Sequence, residues 1–427
     1  RKRLEGRGIM NEFNANRQVY SDSIRGTYVI FPLKYESSLN LTELTIDGAE
    51  NADFSSYDMS DILARRCRKE NGFVRRYILN SCIDDVHFSD GKILAVNESQ
   101  LYVFNNRIAF FTVLVTYDNA DAGYIDKLIN PGYVQNYNHS FEENVIKAVS
   151  NISIGGVSNI FRLYVDDMKL AVKETYLFNV ALVSRRFNEL ETIERITFNE
   201  HKLIDISRDF SDPSEKDIAY TYGAKDTNKC SYRWGACITS QSISYVYATD
   251  DMTAANVAEQ SRDDVFLTML VLHQKSTCML VNEGIQNTLI DNKRQSLKYF
   301  RKVKMLKKEA LEFRASGTLA PSQVSRWNNV CETYRCLLAV NGIDEALEEI
   351  EQKVELIRDE QERKSSDMQN YVATVIAVFG LISIVASVLS IVDLVNSGST
   401  DIVAALGVSC IGVVLFVFSW LILMLKK

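Results

Sequence analysis

Two long runs without a charged residue near the end of the chain constrain the fold more than any other feature. The first covers 22 residues from Tyr371 to Val392, and the second covers 24 residues from Ile402 to Leu425. A helix needs about 20 apolar residues to cross the hydrocarbon core of a bilayer, where it satisfies its own backbone hydrogen bonds. The sequence therefore predicts two C-terminal transmembrane helices, at 371–395 and 402–425.

Basic residues at both ends of this predicted hairpin indicate its orientation. A basic pair precedes the first run at 363–364, and a second pair ends the chain at 426–427. The predicted loop, 396–401, contains no base. Since Lys and Arg are enriched on the cytoplasmic side of membrane proteins, we expect an external loop and a basic cytoplasmic C-terminus.

One face of the first run carries small and polar residues. At 100° per residue these positions fall within a sector of about 100°. The positions of interest are Ile376, Gly380, Ser383, Ser387 and Ser390. Small residues let transmembrane helices approach closely, so one interpretation of the stripe is a face that contacts another helix. The other interpretation is a pore lining, which requires several copies of the chain.

A charged heptad pattern precedes the first run, in a predicted stalk helix at 343–370. Its apolar positions step by four and three: Ile343, Leu347, Ile350, Val354 and Ile357. Such spacing is typical of a helix with one apolar seam. An unbroken helix from Asp344 to Val395 would be about 78 Å long at 1.5 Å per residue. This length suggests mechanical coupling between the body of the protein and the predicted spans.

The remaining sequence predicts an α/β domain at 26–252, after an N-terminal extension at 1–25, and a helical section at 253–342. Segments such as 26–35, 100–118 and 175–187 are rich in β-branched and aromatic residues and read as strands. The predicted fold class is thus an α+β cytoplasmic domain, followed by an all-α section with a long stalk helix and two C-terminal transmembrane helices.

Charge and motifs exclude several functions. The chain has 48 basic and 55 acidic residues, a net charge of −7, so no direct nucleic-acid binding is expected. Its 8 cysteines are scattered without metal-ligand spacing. Phosphate-binding loops, dinucleotide fingerprints and nucleophile elbows are all missing from the sequence, so we predict that the protein is not an enzyme.

One segment combines aromatic and basic residues as a ligand site would. The candidates within 220–235 are Lys225, Tyr232, Arg233 and Trp234. Aromatic faces and a guanidinium can stack a base and hold a phosphate. The alternative is an aromatic corner with a structural role.

The order of these segments resembles the CorA family of divalent-cation channels. The resemblance implies a homopentamer in a bacterial inner membrane, with both termini cytoplasmic and the lipid bilayer as a partner. It also implies that first spans line the pore, here through the 376–390 stripe, and that a cytoplasmic funnel gates it on ligand binding, usually of Mg²⁺. The outer mouth would carry Asp393, Asn396 and Asp401.

This sequence departs from the family in the external loop, where the family has Gly-Met-Asn. Leu394, Val395 and Asn396 stand at the corresponding positions, so only the asparagine is retained. The divergent body more resembles the CorA-like membrane effectors found beside type III CRISPR systems. That resemblance implies a small nucleotide ligand, an S-adenosylmethionine-AMP second messenger, and a role in antiviral defence.

Three functions are therefore expected from the sequence. The leading hypothesis is a ligand-gated CorA-like homopentameric ion channel, opened by a nucleotide second messenger on its cytoplasmic domain. The second is a constitutive magnesium or divalent-cation transporter gated by its own ion. The third is a membrane-anchored enzyme or scaffold whose hairpin conducts nothing.

Overall fold

The computed structural model describes residues 22–35, 39–79, 82–129, 138–163, 175–187, 190–207, 211–218, 221–223, 233–290, 304–306, 308, 310–311 and 313–397. The chain divides into two compact units. One unit is Arg1–Met279 with Phe313–Ala346, and the other is Leu280–Glu312 with Leu347–Lys427.

The first unit is built on a large mixed β-sheet. Its strands are β1 Ile24–Tyr35, β2 Glu50–Ala52, β3 Val74–Ile78, β4 Val86–His87, β5 Ile93–Phe104, β6 Ile108–Asp118, β7 Phe161–Leu163, β8 Tyr176–Ser184, β9 Thr221–Gly223, β10 Trp234–Ile238 and β11 Ser242–Thr249. The strand order is β2-β3-β5-β6-β1-β8-β11-β10-β9, with β4 on β5 and β7 on β1. β8 and β11 are parallel, and the other described pairs are antiparallel.

Helices interrupt and then follow the strands. They are α1 Asp61–Arg66, α2 Asp126–Ile129, α3 His139–Asn151, α4 Leu190–His201, α5 Glu215–Ile218, α6 Ala254–Ile290, α7 Pro321–Val324, α8 Asn328–Val340 and α9 Ile343–Ser397. After Thr249 the described elements are helical. A part with a large mixed sheet thus precedes a helical part along the chain.

Alternation along the central strand β1 directs its side chains to two helical layers. Val29 and Phe31 belong to a core cluster that includes Phe141 of α3, whose ring centroid lies 6.3 Å from that of Phe31. Tyr28 points the other way, and its hydroxyl lies 3.4 Å from the Ser261 hydroxyl of α6. This period of two is what a strand buried on both faces requires.

A glycine lets α6 approach β1 closely. A β-carbon added at Gly26 would lie 2.7 Å from Cγ1 of Val257 in α6. Any larger side chain would therefore collide with the helix. Close approach of α6 to the sheet is thus encoded at one position of β1.

A buried ion pair joins β1 to α4. The Arg25 Nε atom lies 2.6 Å from Oε2 of Glu200, and both side chains are 0% exposed. Arg25 Nη1 also donates to the Ile204 carbonyl oxygen at 2.7 Å and to Asn119 Oδ1 at 3.2 Å. Burial raises the pKa of Glu200, and the Arg25 charge opposes this rise. Removing either partner would leave an uncompensated charge in the core.

A single 55-residue helix, α9, runs without interruption from Ile343 to Ser397 and covers the predicted stalk segment 343–370. Gly342 precedes it with a φ of 63°. Within the second unit, Lys353 Nζ of α9 donates to Asn282 Oδ1 of α6 at 3.0 Å and lies 2.5 Å from Glu349. These contacts link the two long helices of that unit.

The predicted membrane hairpin is corrected. Among the described residues, no helix combines the length and the apolarity needed to cross a bilayer. The transmembrane part of the predicted fold class and the multi-pass inner-membrane location derived from it are therefore wrong for these residues. The second predicted span, 402–425, lies outside the described residues.

Candidate ligand-binding site

A cavity of about 190 Å³ opens in the first unit, where α6, the start of β10, the loop before α1 and the α7–α8 connection meet. We call it the Asp264 cavity, after one of the carboxylates that line it. The loop before α1 is fixed by Ser60, whose backbone N–H donates to the Val324 carbonyl oxygen at 2.9 Å. Ser60 Oγ also caps α1 by accepting from the Leu63 N–H at 3.1 Å.

Aromatic side chains form the walls of the Asp264 cavity. Tyr57, Trp234, Phe266 and Trp327 all line it. The Phe266 ring contacts Tyr57 edge-on, with the ring centroids 5.6 Å apart. Aromatic rings offer stacking surfaces, and their negative faces attract cations.

Asp264 supplies a half-buried carboxylate to this cavity. The Tyr247 hydroxyl donates to its Oδ2 atom at 2.5 Å. Burial raises the pKa of Asp264 to about 6. No base forms an ion pair with Asp264 within the part of the chain that the structure describes. A buried carboxylate without a cationic partner gains free energy when a cation binds beside it.

The pairing of β11 with α6 explains how the sequence places this group. Tyr245 and Tyr247 are two residues apart in β11, so their side chains lie on the same face of the strand. Their rings stack with centroids 5.6 Å apart. The α6 helix crosses that face and brings Asp264 against the Tyr247 hydroxyl. The acid is thus held by a neutral donor.

The two other acids of the cavity already have partners. Asp58 accepts a hydrogen bond from Trp327 Nε1 at 2.9 Å, and its backbone N–H donates to Asp263 Oδ2 at 3.1 Å. Asp263 also lies 3.2 Å from Arg262 Nε. These contacts position the walls of the cavity. They leave Asp264 as the carboxylate best placed to meet a ligand charge.

This arrangement suits a flat ligand that carries a positive charge or several N–H donors. It does not form a cluster of metal ligands, because the described residues include no group of three or more His, Cys, Asp or Glu side chains placed to hold a metal ion.

A second cavity, of about 230 Å³, lies near Lys275 of α6. Lys275 Nζ donates to the Ser240 carbonyl oxygen at 3.3 Å and to Asn341 Oδ1 at 3.2 Å. These bonds tie α6 to the β10–β11 turn and to the end of α8. We therefore assign Lys275 a structural role.

One of the four predicted ligand residues lies in the Asp264 cavity. Trp234 lines it, whereas its neighbour Arg233 is exposed and its carbonyl oxygen accepts from the Ala248 N–H at 2.8 Å. Lys225 and Tyr232 lie outside the described residues. Asp264 was missed by the sequence reasoning, because it stands in an unremarkable helical stretch.

The predicted pore residues fall on or beyond α9. Ile376 and Gly380 are exposed on this helix. The others are outside the description of side chains or outside the described chain altogether: Ser383, Ser387, Ser390, Asp393, Asn396 and Asp401. Their roles in a pore or an outer mouth stay predictions.

Comparison with known proteins adds no identification. No protein-family model, no curated protein and no solved structure matches this chain.

Proposed function

We propose that this chain is a ligand-responsive sensor whose α/β body binds a small, flat, positively charged compound of the S-adenosylmethionine class in the Asp264 cavity. The role is binding, without turnover of the ligand. The single observation that supports it most is the half-buried Asp264 carboxylate, held by a tyrosine and lining an aromatic cavity.

The chemistry of the cavity supports this class of ligand. A purine ring can stack on Trp234 or Trp327, which both line the cavity. A sulfonium or ammonium group can approach the rings and the Asp264 carboxylate together. Phosphate is disfavoured at this point, since Asp58, Asp263 and Asp264 surround it with negative charge.

The helix that carries Asp264 provides a means of response. α6 is continuous from Ala254 to Ile290, so it begins in the first unit and ends in the second. A ligand that binds one position of α6 better than another shifts the population of the helix positions by its difference in affinity. The ion-channel hypothesis stays a prediction, and the sensor proposal does not depend on it.

Calorimetric titration of the full chain tests the proposal with two matched ligands. S-Adenosylmethionine carries a positive sulfur, whereas S-adenosylhomocysteine has a neutral sulfur and otherwise the same rings. We expect the cationic ligand to bind at least about tenfold more tightly, which corresponds to about 1.4 kcal/mol.

Two variants assign this binding to the cavity. Trp234→Ala should weaken both ligands, because it removes a stacking surface, and Asp264→Asn should abolish the preference for the charged ligand. Asp84→Asn is the matched control, since Asp84 is exposed and does not line the cavity. Absence of binding at millimolar concentration, or an undiminished preference in Asp264→Asn, would contradict the proposal. Melting temperatures confirm that each variant is folded.

A further inference from the structure

The starting observation is a buried arginine without an acidic partner. Arg75 of β3 is 7% exposed, and its Nε atom is buried with no hydrogen-bond partner in the described structure. No carboxylate forms an ion pair with it among the described residues. It does interact with the side chain of Tyr77, whose hydroxyl donates to the Leu44 carbonyl oxygen at 2.8 Å.

Two other buried arginines of the same sheet show what is missing. Arg25 pairs with Glu200 at 2.6 Å. Arg76, the next residue along β3, lies 3.6 Å from Glu98 and donates from Nε to Gln100 Oε1 at 2.8 Å. A buried guanidinium is costly unless an anion or several acceptors surround it. Arg75 is therefore a buried cation that has no acidic partner among the described residues and could be neutralised by a bound anion.

The surroundings of Arg75 have the space and the charge for such an anion. Arg75 lines a cavity of about 440 Å³, bounded by β2, the loop that follows it, and α1. Arg68 and Lys69, both exposed, line the same cavity. Asp53 is the one acid among its described lining residues, and it already accepts from the Ser55 N–H at 3.0 Å and the Ser55 hydroxyl at 2.7 Å.

The chemistry of these three bases fits a phosphate. Arginine presents a planar set of N–H donors that matches two oxygens of a phosphate, and lysine adds a point charge. Cys67 also lines the cavity, but burial raises the pKa of its thiol to about 12, so it stays a neutral thiol there.

We propose that the Arg75 cavity is a phosphate-binding site, in which Arg75 is the inner ligand and Arg68 and Lys69 close the rim. This assignment stands on the geometry around Arg75 and does not require the Asp264 cavity to bind anything. Tyr57 and Met59 nevertheless line both cavities. A phosphate in this site is therefore free inorganic phosphate or the phosphate group of a ligand whose ring enters the neighbouring cavity.

Titration of the full chain with inorganic phosphate, followed by phosphorus NMR, tests the site directly. We expect saturable binding that becomes at least tenfold weaker in Arg75→Met and about threefold weaker in Lys69→Gln. Lys147→Gln is the matched control, because Lys147 is exposed on α3 and does not line the cavity. Arg75→Met should melt no lower than the wild type, because no ion pair is broken.

The outcomes separate the alternatives. Equal phosphate affinity in Arg75→Met and wild type, or no binding by wild type, overturns the proposal. If Arg75→Met does not fold, the exposed rim variant Lys69→Gln tests the proposal instead. A phosphate affinity of Lys69→Gln equal to that of the wild type would also overturn the proposal. Comparing AMP with adenosine distinguishes the source, since a ligand-borne phosphate predicts tighter binding of AMP. S-Adenosylmethionine contains no phosphate, so its titration reports the Asp264 cavity alone and the two proposals fail independently.

Discussion

A buried histidine should make the stability of this protein depend on pH in a way that one substitution removes. His273 of α6 is 0% exposed, and its ring stacks on Phe104 with centroids 4.3 Å apart. Phe73 and Phe313 contact it edge-on. Neither ring nitrogen has a hydrogen-bond partner in the described structure. The imidazole is thus enclosed by aromatic rings, away from water, and burial disfavours its charged form.

The magnitude follows from the pKa of His273, which burial lowers from 6.5 to about 3. Since the unfolded chain binds the proton more tightly, the contribution of this group is complete above pH 6.5 and falls as the pH decreases toward 3. At 1.36 kcal/mol per pH unit, lowering the pH from 6.5 to 4 costs about 3 kcal/mol. Asp264 has the opposite effect on the free energy of unfolding. Because its pKa is raised in the folded protein, its contribution to stability increases as the pH falls from about 6 to 3.8.

The substitution His273→Phe isolates the histidine from this opposing group. The substitution keeps an aromatic ring against Phe104 and removes the imidazole, which is the group that binds the proton. Free energies of unfolding from urea denaturation, followed by tryptophan fluorescence at pH 7, 6, 5 and 4, give the difference between variant and wild type at each pH. We expect this difference to shift by about 3 kcal/mol in favour of the variant between pH 7 and pH 4.

An exposed histidine provides the control for this experiment. The His139 side chain is 75% exposed and lies outside the aromatic core, so His139→Phe should not reproduce the shift expected for His273→Phe. A difference between His273→Phe and wild type that is constant from pH 7 to pH 4 would refute the reasoning. Such a result would mean that the buried imidazole of His273 can be protonated without loss of stability.

Two further predictions concern the other buried charges. Glu200→Gln should lower the free energy of unfolding by about 3–5 kcal/mol, because Arg25 then lacks its counter-charge, whereas the double substitution Arg25→Met with Glu200→Leu should cost much less in the same urea assay. A Glu200→Gln protein as stable as wild type would show that Arg25 does not need the carboxylate. S-Adenosylmethionine should bind about tenfold more tightly at pH 7 than at pH 5, because Asp264 ionises near pH 6 and only its charged form attracts the cation. Calorimetry should find no such pH dependence in Asp264→Asn, and equal affinity of the wild type at both pH values would exclude Asp264 as the partner of the cation.

Much of the secondary structure was predictable from local patterns. The segment 26–35 is rich in β-branched and aromatic residues, and it forms most of β1. The paired asparagines at 105–106 indicate the turn that joins β5 to β6. The heptad spacing from Ile343 and the absence of proline and glycine from 343 to 379 predict the first two thirds of α9. The membrane crossing predicted at 371–395 was wrong, since no described helix has the length and apolarity that a crossing requires.

The candidate sites depended on contacts between residues far apart in the sequence. Trp234 was proposed from its aromatic and basic neighbours, but its partners in the cavity come from the loop around Asp58 and from Trp327. Nothing in the sequence near Asp264 distinguishes it from any other helical acid. Its role appears only when β11 sets Tyr247 against it.

The sequence by itself determined that strand-forming segments precede helical ones and that one helix would be exceptionally long, since these properties depend on residues within a few positions of one another. Only the tertiary structure decided which charges are compensated. Arg25, Arg75 and Arg76 look alike in the sequence, yet two have acidic partners, whereas Arg75 lines a cavity and has no acidic partner among the described residues. The energy of a buried charge depends on groups brought within a few ångströms by the fold, and local sequence carries no information about that distance.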